Sequence, residues 1–291
     1  MELTFLLEQI VNGLVLGGYY LLLALGLSLI FSVGGIVNLA HGAFYAIGAY
    51  ASLEIIKVGG FGVSIFVTPL LVALLGILFE RYLLRRFYTA DPILSLLVTF
   101  GLALVTEQAL RMIWGSAPLA SNMPPEFKGN IILGDFMFSK YRLFILAVVF
   151  MVMCGIWLLL HKTAFGRVVR AGVQKPDMVA VLGIKLQPYM TAIVMLGVAT
   201  AALGGVLFGP IAIVHPAMGT EIMTVAFVVV VIGGLGSFWG VVLAAVLVGV
   251  VRGITIYFVP AAGEASMYIL MFLVLMFRPR GLLGERIERF E

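Results

Sequence analysis

The chain has 291 residues, 63% of them hydrophobic and 11% charged, with a formal net charge of +4 and a mean hydropathy of +1.17. Soluble domains carry roughly 45–50% apolar and about 25% charged residues, so a water-exposed globule is excluded and lipid has to cover the apolar surface. The basic residues are spread over loop-like stretches and form no dense cluster, which excludes nucleic acid as a partner, while a lone Cys154 leaves no disulfide or Cys-rich metal site within the chain.

A helix needs about 20 apolar residues to cross a ~30 Å hydrocarbon layer. The first segment follows Met1 to Gln9, which lacks a basic stretch and a cleavage site, so it is expected to remain in the mature protein. The pattern predicts spans over Ile10–Phe31, Ile36–Ile56, Phe61–Glu80, Pro92–Ile113, Tyr141–Leu160, Pro188–Gly209 and Ser237–Phe258. Two shorter runs, Ile222–Ile232 and Ser266–Phe277, are predicted as tilted, flanked or discontinuous helices. The expected fold is an all-α polytopic bundle of eight or nine spans forming one transmembrane domain over residues 1–291.

Lys and Arg concentrate on the cytoplasmic side of membrane proteins. Twelve of the eighteen fall in three stretches: Arg81, Arg85, Arg86; Lys162, Arg167, Arg170, Lys175, Lys185; and Arg278, Arg280, Arg286, Arg289. Placing all three inside gives nine crossings with the N-terminus outside and the C-terminus cytoplasmic; eight crossings with one re-entrant segment is the alternative. A cytoplasmic loop then spans about 162–187, and the largest external loop about 114–140, with Pro124, Pro125, Glu126 and Asp135, anchored at the interface by Trp114. Val33-Gly34-Gly35 before Asn38 echoes Ile232-Gly233-Gly234 before Ser237, by internal two-fold duplication or by chance.

Small residues that let helices approach cluster at Gly13, Gly17 and Gly18, at Gly42, Ala46 and Ala49, and from Gly197 through Ala201, Ala202, Gly204 and Gly205. Gly233, Gly234 and Gly236 would break a helix and predict a tight, mechanically important turn, which Gly34 and Gly35 parallel. Asn38 and His41 interrupt a stretch from Gln9 to Leu53 without any Asp, Glu, Lys or Arg. Polar groups there either line a pathway or make an interhelical hydrogen bond or cap. Glu107 and Arg111 have ion-pair spacing, Arg252 is expected to snorkel or meet Glu264, and the scattered histidines, His215 included, make no metal site.

The cytoplasmic stretch from Thr163 to Gly183 predicts two short helices, with Arg167, Arg170 and Gln174 on one face of the first and Pro176 opening the second. Such a pair lies on headgroups or plugs into a partner. No Gly-Lys dipeptide occurs, so the phosphate-cradling G-x-x-x-x-G-K-[ST] loop is missing and the chain is not itself an ATPase.

Gly17 to Tyr50 with Asn38-Leu39-Ala40-His41-Gly42, Phe165-Gly166-Arg167 to Leu182-Gly183-Ile184, and Gly233-Gly234-Leu235-Gly236-Ser237 with Arg278-Pro279-Arg280-Gly281-Leu282 resemble the permeases of high-affinity branched-chain amino acid ABC importers. The resemblance implies a bacterial inner-membrane, multi-pass permease working with a second, similar permease, two cytoplasmic ATPase subunits that use ATP and Mg, and a periplasmic binding protein. It implies coupling to the ATPase through Gly166, Arg167, Arg170, Ala171 and Gly183, and a pathway near Asn38, His41 and Gly42. The coupling stretch departs from the general importer pattern by lacking a Glu-Ala-Ala opening. Relatives that move urea, short amides or aromatic acids leave the solute open. An ion-coupled secondary carrier is the alternative of another class; it would bury Asp, Glu or Lys at mid-membrane, whereas the acids here sit mostly near span ends.

Overall fold

The computed structural model describes residues 2–88, 91–133 and 136–284; Asp135, Arg286 and Arg289 lie outside them. The elements are α1 (Glu2–Gly34), α2 (His41–Tyr82), α3 (Pro92–Trp114), β1 (Asn130–Leu133), β2 (Phe136–Ser139), α4 (Lys140–Lys162), α5 (Ala164–Gln174), α6 (Pro176–Val181), α7 (Gln187–Phe208), α8 (Met218–Gly233), α9 (Phe238–Phe258) and α10 (Gly263–Phe277). Seven helical stretches among the described residues are long and apolar enough to cross a membrane, and α8 is a shorter apolar helix.

α2 holds two of the predicted spans. Its 42 residues would make a rod of about 63 Å, twice a hydrocarbon layer, but Gly60 (φ 77°, ψ 175°) breaks it. The break turns the chain back on itself: Phe44 stacks edge-on against Phe79 at 5.2 Å, and Gly48 and Gly76 from the two arms pack against Ala202 and Val198, one turn apart on α7. Only glycine takes that backbone without strain.

Two crossings are completed by irregular chain and a part-length helix. α1 ends at Gly34, yet α2 begins level with Leu23 and Gly26, because His41 bonds the Leu23 carbonyl and lies against Gly26. Residues 35–40 therefore return about 12 Å into the bundle without helical structure. α8, of 16 residues or about 24 Å, likewise starts inside, after a loop at 209–217. The two starts meet: a Cβ on Gly42 would sit 2.1 Å from the Gly219 carbonyl oxygen, and one on Gly219 would sit 2.5 Å from that of Gly42. Gly26 on α1 and Gly197 on α7 are reciprocal too, each facing the other's carbonyl at 2.6 and 2.8 Å.

Followed from contact to contact, the chain passes through the bundle nine times, with its described ends on opposite faces. One face carries the ends of α1 and α8, Tyr88, α5, α6 and the segment 278–284; the other carries Trp114, the β1–β2 hairpin and the end of α7. Both glycine contacts are reciprocal, α1 with α7 and α2 with α8, and Ala40-His41-Gly42 and Ala217-Met218-Gly219 each open a helix at the second of them. Gly34 ends a full-length helix, whereas Gly233 ends the part-length α8.

α1 and α7 form the centre, 78% and 72% buried over their most apolar stretches, against 22% for α3 and α4 and 11% for the last span. Glycines set the packing distance: Gly13 and Gly17 lie on the backbone of Val250 and Ala245, and Gly205 on that of Tyr45 and Ala49. Helices in lipid gain nothing hydrophobic from pairing, so backbone approach and dispersion have to hold them. The leucine-rich outer faces, such as Leu70, Leu74, Leu97 and Leu243, are left to lipid.

Candidate functional site

The junction where α2 and α8 start holds several of the buried polar groups. Asn38 and His41 are both fully buried. Asn38 lies in the irregular link, so the two do not share a helical face as their spacing suggests; the helix begins only at His41. Asn38 Oδ1 accepts from the Ala40 amide at 3.1 Å, and the His41 amide donates to the Asn38 carbonyl at 3.2 Å, which together close the turn that starts α2. His41 Nε2 donates to the Leu23 carbonyl at 3.1 Å, and this places the proton on that nitrogen. Asn38 Nδ2 and His41 Nδ1 have no partner.

α3 touches both helix starts through polar bonds. Thr99 Oγ1 accepts from the Leu39 amide at 3.2 Å, and Glu107 Oε2 accepts from the Thr220 hydroxyl at 3.0 Å in the first turn of α8, where an anion is favoured. Glu107 also pairs with Arg111 at 2.6 Å, as its spacing predicts. Between α3 and α2 a cavity of about 350 Å³ opens sideways, walled by Ala43, Phe44, Ile47, Phe79, Leu102 and Thr106. Gly42 turns away from it toward α8.

The glycine turn between α8 and α9 is locked into the tail. Gly234 (φ 100°) and Gly236 (φ 82°) take backbone that favours glycine, as does Gly35 (φ 64°), whereas Gly34 and Gly233 are the last residues of their helices. The amides of Leu282 and Leu283 donate to the carbonyls of Ile232 and Gly233 at 2.7 and 3.1 Å, and a Cβ on Gly234 would meet the backbone of Gly284 at 2.5 Å. The two distant motifs thus form one knot.

The predicted pair of short helices is present as α5 and α6, ended by Gly183 (φ 77°). Thr163 caps α5 by accepting from the Gly166 amide at 3.2 Å. Gly166 is buried against the Leu160 backbone, where a Cβ would lie 2.0 Å from the carbonyl oxygen. Arg170 donates to the Leu160 carbonyl, tying α5 to the end of α4. Arg167 and Ala171 face outward. Three apolar side chains of α6 and its end are exposed: Met178 is 63%, Val181 84% and Leu182 76% exposed. Met178 and Val181 carry no expectation from the sequence, where an apolar trio in a short polar loop is the available signal.

One other expectation is corrected. Arg252 neither snorkels nor pairs with Glu264: its guanidinium donates to Tyr20 Oη and lies over the Tyr20 ring at 5.8 Å, between α9 and α1. Within the 114–140 segment β1 and β2 pair antiparallel with Asn130 opposite Ser139. Gly134-Asp135 between two apolar runs was the readable sign of that hairpin. Trp114 donates to Glu54 at 3.1 Å and packs on Tyr50.

Residues 9–277 match the family model of the branched-chain amino acid transport system permease component. The permease protein BraD of the high-affinity branched-chain amino acid transport system of Pseudomonas aeruginosa is 29% identical, covering 98% of this chain and 97% of its own length. LivH of Escherichia coli, of the same description, is 27% identical with the same coverage. In structure, PsaBC from Streptococcus pneumoniae in complex with Fab superposes with a TM-score of 0.50 over 96% of this chain at 10% identity, a likeness of fold alone. With the family match spanning nearly every crossing, the discontinuous helices included, this multi-pass membrane protein belongs to the family of branched-chain amino acid transport permease components.

Proposed function

We propose that the chain is the membrane-spanning subunit of an ATP-driven importer, passing branched-chain amino acids from a periplasmic binding protein through the inner membrane of a bacterial cell. The face with α5, α6 and the basic residues is then cytoplasmic, and the loop at about 114–140 meets the binding protein. A second permease completes the pathway, and two ATPase subunits use ATP and Mg outside this chain. The solute rests on the branched-chain amino acid transport named for BraD and LivH, relatives that this chain matches over nearly their full length.

One observation carries the coupling role: α5 and α6 stand on the bundle as a capped, braced pair that leaves Met178, Val181 and Leu182 bare. An exposed apolar trio costs about 25 cal/mol per Å² in water, and docking on an ATPase removes that cost. In this reading Gly166 and Arg170 hold the pair in place, Arg167 and Ala171 flank the contact, and Gly183 ends it. Asn38, His41 and Gly42 act on the pathway from behind its wall, by setting where α2 starts. The glycines at 34–35 and 233–236 are the points about which helix ends turn.

The test is co-purification from native membranes followed by uptake in proteoliposomes. Val181→Glu should lose the ATPase while keeping the second permease. Arg170→Glu is less informative, because it also removes the brace to Leu160. Wild type that purifies alone and transports unaided would overturn the proposal in favour of a secondary carrier. A complex that ignores leucine but moves urea, an amide or an aromatic acid would overturn the solute.

A further inference from the structure

Glu80, in the last turn of α2, is 1% exposed, and its partners come from three segments. The Thr191 hydroxyl, from the start of α7, donates to Glu80 Oε2 at 2.8 Å. Arg85, in the single turn Leu84–Arg86, donates from Nη2 to Oε2 at 3.3 Å and from Nε to Oε1 at 3.5 Å. Its Nη2 also reaches Thr191 Oγ1 at 3.3 Å, closing a triangle. The Tyr88 phenol interacts with the same carboxylate, and its ring packs on Gly34, where a Cβ would lie 2.8 Å away.

This cluster stands between the α5–α6 pair and the part-length helix junction. Phe165 of α5 stacks on Tyr189 in the first turn of α7 at 5.6 Å, and Leu186 packs on Gly172. A displacement of α5 therefore moves the first turn of α7, which holds Thr191. From there the carboxylate leads to the end of α2, and Tyr88 leads to the end of α1, whose next residues are the irregular link before Asn38. Charge-assisted hydrogen bonds are directional and about twice as strong as neutral ones. Apolar helix contacts in lipid have no comparable hold against sliding.

We propose that Glu80, Arg85 and Thr191 form the relay that converts movement of α5 and α6 into movement of α2 and of the link at 35–40. Glu80 is a positioning residue and touches no solute. The inference rests on the importer reading and deepens it by naming how the two ends of the permease communicate.

The experiment is the ratio of solute moved to ATP hydrolysed, measured in proteoliposomes holding the full complex with leucine and its binding protein. Thr191→Val keeps shape and removes the hydroxyl; the ratio should fall about twofold to thirtyfold, with the ATPase still bound and hydrolysing. Thr191→Ser should restore it. Arg85→Gln, which keeps a neutral donor at a partly exposed position, should lower the ratio in the same way. A wild-type ratio in both Thr191→Val and Arg85→Gln overturns the relay, as does an equal fall in Thr191→Val and Thr191→Ser. Uptake by wild type with no bound ATPase removes the importer reading itself, and the relay with it.

Discussion

Gly42→Ala adds one methyl group at the point where the two part-length helices cross. The new Cβ would lie 2.1 Å from the Gly219 carbonyl oxygen and 2.9 Å from its carbon, both backbone atoms that no rotamer change can move. Relief requires α2 and α8 to part by about 1 Å, and overpacking of this kind costs about 1–3 kcal/mol. Gly155→Ala in α4 is the control, since nothing lies within 4 Å of its Cβ. Exchange of glycine for alanine gains up to about 1 kcal/mol of helix propensity inside a helix, and no more in the first turn, where Gly42 sits. The difference between the two variants is therefore at least the packing cost of about 1–3 kcal/mol. At about 2–4 °C per kcal/mol for a chain of 150–250 residues, Gly42→Ala should melt about 2–12 °C below Gly155→Ala in one detergent at one heating rate. Equal melting temperatures would refute the close crossing at Gly42 and Gly219.

Gly60→Ala should destabilise by about 1–3 kcal/mol despite open space around it, because φ of 77° with ψ of 175° is glycine backbone. Gly62→Ala, equally open but helical, should be neutral or stabilising, and comparison of their melting temperatures in one detergent checks both. Tyr20→Phe removes the hydroxyl that accepts from Arg252 and should cost about 1.5–3 kcal/mol, the range for a hydrogen bond to a charged group. Adding Tyr20→Phe to Arg252→Met should cost much less than Tyr20→Phe alone, and additive shifts in melting temperature would show the pair to be uncoupled.

The spans were legible because lipid imposes a length and an apolar composition on any helix that crosses it. The predicted span Phe61–Glu80 coincides with the second arm of α2, and Pro92–Ile113 with α3, to within two residues. The short helices at 164–181 were legible from Pro176 and Gly183, local signals of start and stop. The start of α2 was not: Ile36 to Ala40 is as apolar as the helix after it, and only the bond from His41 to Leu23 sets it inside the bundle. The role of Glu80 was hidden for a similar reason. A glutamate at a span end beside arginines reads as an ordinary interfacial charge, and its partner Thr191 lies 111 residues away.

Sequence by itself determined that this is a mainly helical, multi-pass membrane protein with a pair of short helices over 164–181 and no G-x-x-x-x-G-K-[ST] stretch. Those properties follow from composition, from local turn chemistry and from motifs read a few residues at a time. Tertiary structure alone decided that two of the nine passes are part irregular, that their helix starts meet at Gly42 and Gly219, and that the tail grips the glycine turn. Each of those depends on backbone atoms from distant segments approaching within a methyl group's width, a condition that glycine permits but does not by itself locate.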